Sequence, residues 1–372
     1  MPELWLNYGS ADVVLDIKVE NLNTLDNAKF KKLEEEIIEQ QIASVPLENM
    51  KILALGKSKS IARIISLLLS QAKKKGISNV LPESLPKDHS SLSKNMESNS
   101  LSISKQTAEY ILERGNDSKT LFVSSTKVDP MFGFGGVPTI VLREFLKDKM
   151  TEAYCSRTTN LPSPGTRPAS LDIAIDVCKN MTAKCIQVIS TTEGIDSLFF
   201  GSVSETFEES IKRMQYLMSD DYSNIHSMII GADKDSDSHL TLSDSLNYLC
   251  NSVHILKNKG YGILIAENKK GLGSDALERL AEGRMTLEDS SEAREYIDGL
   301  EHLIFINELK EKYHLGVLSS LPRYYLRSKF GFEPFSRSGD LVEKLLDING
   351  KNKKILVIPD PNLALFKNLA NK

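Results

Sequence analysis

The stretch YGILIAENKKGLGSDALERLAEG, residues 261–283, decides the fold class. It opens on an apolar run, 261–266, that predicts a buried strand. A polar loop, Asn268 to Gly273, follows. A helix is predicted over 273–284, with Ser274 placed to cap it and Asp275 in its first turn, where the helix dipole favours a carboxylate. The same strand–loop–helix alternation runs outward in both directions. Strands are predicted at 51–55, 120–125, 184–190, 226–232, 314–319 and 353–358. Helices are predicted at 26–42, 60–75, 105–114, 139–149, 169–180, 203–219, 240–259, 291–312, 322–329, 338–347 and 361–370. Such alternation argues an α/β fold with mainly parallel sheets. Residues 3–20 alternate apolar and polar about Tyr8-Gly9 and predict a hairpin.

At 372 residues the chain has room for two domains. Ser219-Asp220-Asp221-Tyr222 separates two strand–helix runs and marks the expected boundary, giving domains 1–222 and 223–372 with a cleft between them. The last helix is free to pack back on the first domain. A net charge of −4, with acidic and basic residues mixed, gives no general attraction to nucleic acid or acidic membranes. No window holds 18 uninterrupted apolar residues, so no membrane span is expected. The four cysteines show no CxxC spacing, which suits packed thiols in a reducing compartment. With an opening that has no signal-peptide pattern, a cytoplasmic location is expected. Residues 90–104 hold seven serines and read as a loop, a candidate for contact with a protein partner that the sequence does not identify.

Ligands of parallel α/β sheets bind beyond the carboxyl ends of strands, so the loops that follow strands are the candidate sites. After 51–55 comes Gly56-Lys57-Ser58-Lys59-Ser60. After 120–125 come Gly133, Gly135 and Gly136, which meet the dinucleotide fingerprint only halfway because Pro138 stands at the third glycine. This loop reads either as an anion cradle or as a tight turn. Gly271, Gly273 and Ser274, with Lys269 and Lys270, form either an anion site or a capped helix start. Asp233, Asp235, Asp237 and Asp244 mimic calcium-loop spacing. Ser238 in place of the required glycine, and a strand in place of the entering helix, argue instead for a polar turn and no metal site. No HExxH, GxSxG or GxxxxGK[ST] pattern is present.

Several segments in order resemble the nickel-dependent lactate racemase family. They are Leu6-Asn7-Tyr8-Gly9 with Asn21-Leu22, Ile195 to Gly201 with the helix that follows, Tyr261 to Glu267 with Gly271-Leu272-Gly273-Ser274, Gly316 to Ser319, Phe330 to Pro334, and Ile355 to Asp360. The resemblance covers nearly the whole chain. It implies two α/β domains, with a nickel pincer nucleotide tethered to a lysine in the cleft and histidines that bind nickel and exchange protons during interconversion of 2-hydroxy acids. Carried onto this sequence, Met131 stands at a family histidine and Pro138 at or beside the tethering lysine. No histidine lies between His89 and His226, and His89 alone is near the remaining one. The family's substrate-binding glutamine and lysine map to Asp244 and Asn247, and its arginine maps near Lys57. The expectation is a divergent member with no cofactor. It would bind a small molecule through Lys57, Gly133, Gly135, Gly136, Asp244, Asn247, Gly271, Gly273 and Ser274, or serve as a non-catalytic subunit. The alternative is an active racemase or epimerase with a rearranged site.

Overall fold

The computed structural model describes residues 3–25, 29–83, 108–157, 161–218, 222–350 and 353–366. His89, the serine-rich stretch and most of the 219–222 turn lie outside them. Two large sheets are present, beside two small two-stranded hairpins. The first has the strand order 194–202, 184–191, 120–125, 51–55, 81–83, and only its outer pair, 194–202 with 184–191, is antiparallel. The second, in the order 333–335, 314–318, 256–265, 225–230, 355–358, 22–24, is parallel throughout.

Both sheets are covered on both faces, as continuous apolar strands require. The helix Lys59–Lys74 shows why. Ile61, Ile64, Leu68 and Ala72 recur on one side and are buried against Ile52, Leu121, Val123 and Ile186. Each such aliphatic side chain contributes roughly 1.5–3 kcal/mol on burial. Ser58 Oγ accepts the Ile61 amide at 3.1 Å to start the helix, and Lys73 and Lys74 close it. On the opposite face, Leu53, Phe122 and Cys185 meet Val137, Val141 and Phe145 of the helix Val137–Phe145. The largest core crosses between the sheets: Met131, Phe134 and Phe207 share it with Met228, Ile230 and Leu264.

Several elements depart from the sequence reading. The segment before residue 25 precedes the 222/223 division, yet its strand Leu22–Thr24 pairs with Ile355–Ile358, and Leu6, Leu15 and Ile17 pack on Ile229, Ile263 and Val357 of the second sheet. Long-range pairing of this kind leaves no trace in local periodicity. The 139–149 helix is two helices, Val137–Phe145 and Lys147–Cys155, broken at Leu146 (φ −120°, ψ 68°). The expected 291–312 helix splits into Leu287–Glu292 and Leu300–Leu309, because Gly299 turns the chain at φ +85°. The 26–42 helix shortens to Glu35–Ala43, and 240–259 to Leu242–Ser252, after which the next strand starts early, at Leu256. Tyr325–Lys329 is a π-helical turn. Pro361–Leu363 is a single 3-10 turn, and residues 367–370 of the expected last helix lie outside the described residues. No described helix is long and apolar enough to cross a membrane.

Candidate functional site

The carboxyl ends of strands 51–55 and 225–230 open on a common cleft of about 640 Å³. Its first wall is Ala54, Gly56 to Lys59, Ile61, Ala62 and Ile65. The second is Asp233 to Asp237 with His239, and Asn7, Gly9 and Asp12 of the N-terminal hairpin close one side. Lys57 therefore sits where the sequence reading placed it, on a strand-to-helix loop facing the cleft.

The second wall is tied to the first by carboxylates. Asp235 Oδ1 accepts the Ser60 amide at 3.1 Å and its hydroxyl at 2.8 Å, and the Asp235 carbonyl accepts the Lys59 amide at 2.7 Å. Asp235 thus supplies a negative charge to the start of the 59–74 helix, the stabilising arrangement for a helix N-terminus. Asp233 is fully buried. It accepts from Lys127 Nζ at 3.2 Å, Tyr248 OH at 2.9 Å, Ser236 Oγ at 2.5 Å and the Asp235 amide at 2.7 Å. Burial alone would raise its carboxyl; the Lys127 ammonium and these hydrogen bonds outweigh that and hold it at about 2. A third tie runs from Asp360, after strand 355–358, to the Thr192 amide and hydroxyl, both at 2.6 Å. Asp244 instead accepts from Thr241 Oγ1 at 2.7 Å in the first turn of its own helix. The aspartates spaced like a calcium loop thus turn to different partners, and no group of metal-ligating side chains occurs among the described residues.

The glycine loop does not line the cleft. Gly133 and Gly135 end a small hairpin, Lys127–Asp129 with Gly133–Gly135. Gly133 has φ +75°, and a Cβ there would lie 2.0 Å from the Thr166 carbonyl oxygen. A Cβ on Gly136 would lie 2.6 Å from the Phe207 ring. The Gly136 amide is already bonded to Thr139 Oγ1 at 2.9 Å. Gly135 has ordinary room, 3.5 Å from Asp129 Cβ. The space that glycines open here is filled by the protein's own chain, and Met131 and Pro138 are buried beside it.

Next to this loop, Arg143 joins the two sheet units. It pairs with Asp129 at 3.0 Å and with Glu301, which is 1% exposed, and Tyr296 OH donates to Glu301 Oε2 at 3.0 Å. Burial favours a neutral Glu301; the Arg143 guanidinium outweighs it and keeps the carboxyl low. Asn247 Oδ1 lies 2.9 Å from His302 Nε2, and burial lowers the imidazole pKa. Asn251 Nδ2 donates to the Val128 carbonyl at 3.1 Å, so the 242–252 helix does meet the glycine hairpin, though not at its glycines.

Gly271 and Leu272 accept the Leu242 and Ser243 amides at 3.0 and 2.9 Å, and a Cβ on Gly273 would collide with Thr241. This brings Gly271, Gly273, Ser274, Asp244 and Asn247 together at one end of the second sheet. Ser274 stands at the N-cap position as expected, but its hydroxyl makes no cap bond; it is buried and turned toward Gly299. The nine candidates thus fall into three groups, of which Lys57 alone lines the cleft. Sequence reasoning missed Asn7, Lys59, Asp233, Asp235, Ser236 and His239 as cleft residues. The available signal was that 233–239 follows a parallel strand, the same rule that selected Lys57.

No family model and no curated protein matches the sequence. Among solved structures, the lactate racemase apoprotein from Thermoanaerobacterium thermosaccharolyticum matches with a TM-score of 0.66 at 14% identity, over 98% of this chain and 100% of that one. The chain therefore has a lactate-racemase-like α/β fold.

Proposed function

We propose that this protein uses a lactate-racemase-like fold without racemase chemistry, and binds a small molecule in the cleft between its two sheets. The observation that carries the reading is the contrast between an open cleft of about 640 Å³ and a glycine loop closed by Thr166 and Phe207. That volume falls in the usual range for small-ligand sites. The residues at the glycine loop do not fit a tethered nickel nucleotide. Pro138 has no amine, Met131 has no imidazole to exchange a proton, and the loop's glycine space is taken. A role as the non-catalytic subunit of a larger assembly is compatible with the same geometry.

The test is to purify the protein from cells that make the pincer nucleotide, then measure bound nickel, intact mass and interconversion of D- and L-lactate. The expected result is no stoichiometric nickel, no covalent mass increment and no turnover above a no-protein control. A mass increment with stoichiometric nickel, or turnover, establishes the alternative of an active isomerase.

A further inference from the structure

Three segments meet at the carboxyl end of the second sheet: the start of the 242–252 helix, the stretch 271–276 and the turn 298–302. The Ala276 amide donates to the Asp298 carbonyl at 2.9 Å, and the Leu242 and Ser243 amides donate to Gly271 and Leu272. Each segment carries one exposed carboxylate, Asp244, Asp275 and Asp298, and none of the three forms an ion pair among the described residues. The nearby Arg143 is already taken by Asp129 and Glu301. Helix dipoles account for Asp244 and Asp275, which lie in first turns. Asp298 precedes its helix and has no such support. The chain crowded around it, and the carboxylates of Glu301, Asp275 and Asp244, raise its carboxyl to about 7 despite the Arg143 guanidinium.

Behind these carboxylates lie two buried polar atoms with no partner among the described residues, Ser274 Oγ and His302 Nδ1. Ser274 is 5% exposed and His302 3%. Both face Gly299, the residue after Asp298: a Cβ there would lie 2.2 Å from the hydroxyl and 3.6 Å from Nδ1. A serine at a helix N-cap normally accepts an amide of the first turn, and Ser274 does not. Asn247 Oδ1 can only accept, so His302 Nε2 donates to it at 2.9 Å. Nδ1 is then a bare acceptor, on a ring that burial keeps neutral. Orphans of this kind are costly unless something pairs with them.

We infer that this end of the second sheet binds a linear diamine, with one ammonium at Asp298 and Ser274 Oγ and the other against Asp275 and Asp244. What the site offers is carboxylates, a bare imidazole nitrogen and a hydroxyl, all of which accept from an ammonium. A single metal ion does not fit, because no group of metal-ligating side chains gathers on one point among the described residues. Carboxylates carried on separate segments call for a cation whose charges are also separated. Ser274 has no hydrogen bond to lose in turning its hydroxyl toward the ligand. A bound ammonium favours the ionised form of Asp298, so affinity rises as pH rises through the range in which that carboxyl titrates. The site is separate from the cleft at Lys57 and does not rest on it.

The test uses the full-length protein and isothermal titration, at fixed ionic strength, with putrescine, cadaverine, butylamine and magnesium chloride. At pH 8 at least one diamine is expected to bind about tenfold tighter than butylamine or magnesium. At pH 6 the same diamine should bind about tenfold more weakly. A carboxyl titrating at about 7 passes from mostly ionised to mostly protonated over that range, while aliphatic amines stay charged. Asp298→Asn should remove both the preference for the diamine and its pH dependence. Ser274→Ala should weaken the diamine and leave the urea midpoint unchanged, since no internal hydrogen bond is lost. The inference is overturned if neither diamine binds at pH 8, if butylamine or magnesium binds as tightly, or if Asp298→Asn binds the diamine like the natural protein. A Ser274→Ala protein with a lowered urea midpoint overturns it too, because the hydroxyl is then satisfied inside the protein by a buried water. Should Asp298→Asn fail to fold, Asp275→Asn decides: weakened diamine binding supports the site, and unchanged binding removes it.

Discussion

Two loops leave the first sheet on the same side, one after strand 51–55 and one beyond strand 120–125, and they have opposite fates. The first, Gly56 to Ser58, borders open space and meets the second sheet through hydrogen bonds from Ser60 and Lys59 to Asp235. The second, Met131 to Gly136, is pressed against Thr166, Phe207 and the Arg143–Glu301 pair. A glycine-rich loop makes room for something to come close. Whether a ligand or the chain itself takes that room is decided by residues far away in sequence, here Thr166 and Phe207. If this contrast is right, substitutions at the second loop damage the fold, and substitutions at the first change binding while sparing the fold.

The largest effect is expected at Arg143→Ala. It leaves Glu301, 1% exposed, as an uncompensated buried carboxylate. Breaking a buried pair by removing one partner costs roughly 3–5 kcal/mol. Urea unfolding followed by circular dichroism measures it, and a loss below about 1 kcal/mol would mean that water reaches the pair and that this region is a second open site. Gly136→Ala should cost about 1–3 kcal/mol in the same assay, because its methyl group would sit 2.6 Å from the Phe207 ring in a packed core. A double variant Gly136→Ala, Phe207→Leu that recovers part of the loss would assign the cost to that one collision.

Acid separates the two regions in another way. Asp233 is held at about 2 in the folded protein, against an ordinary value of 3.8. A carboxyl with a depressed folded pKa adds stability that is fully present above the unfolded value and lost as pH falls through the folded value. At 1.36 kcal/mol per pH unit, the drop from 3.8 to about 2 is worth about 2 kcal/mol, lost between pH 4 and pH 2. Stability curves at pH 5 and pH 2 should show this loss in the natural protein and a smaller one in Asp233→Asn. Equal slopes in the two proteins would mean that the Lys127–Asp233 tie does not hold the cleft walls together.

Much of the architecture is legible because parallel strands buried on both faces must be continuous apolar runs. Met228 to Ile230 and Tyr261 to Ile265 announce themselves in that way. What periodicity cannot report is pairing across hundreds of residues. Leu22–Thr24 beside Ile355–Ile358 is set by packing of the N-terminal hairpin, not by any local pattern. Helix ends were lost where one residue turns the chain, as at Leu146 and Gly299. The site was legible in kind but not in membership. The rule that strand carboxyl ends face ligands selected Lys57, and the loop at 233–239, read from sequence as a polar turn, satisfies the same rule. Only the folded structure reveals that Asp235 is spent on Ser60, and that the space at Gly133 and Gly136 is filled.

The smallest effect on the fold is expected at Lys57, and it is the sharpest test of the contrast. Its side chain is exposed, stands at the cleft and makes no ion pair among the described residues. Removing an exposed, unpaired charge changes stability by no more than about 0.5 kcal/mol. Lys57→Ala should therefore unfold at the same urea concentration as the natural protein, while Arg143→Ala unfolds far earlier. Its deficit should appear only in ligand titrations. A stability loss above about 1 kcal/mol would place Lys57 among the ties that hold the sheets together, since only a residue with buried partners carries such a cost. The first loop would then be structural like the second, and the division of labour between them would disappear.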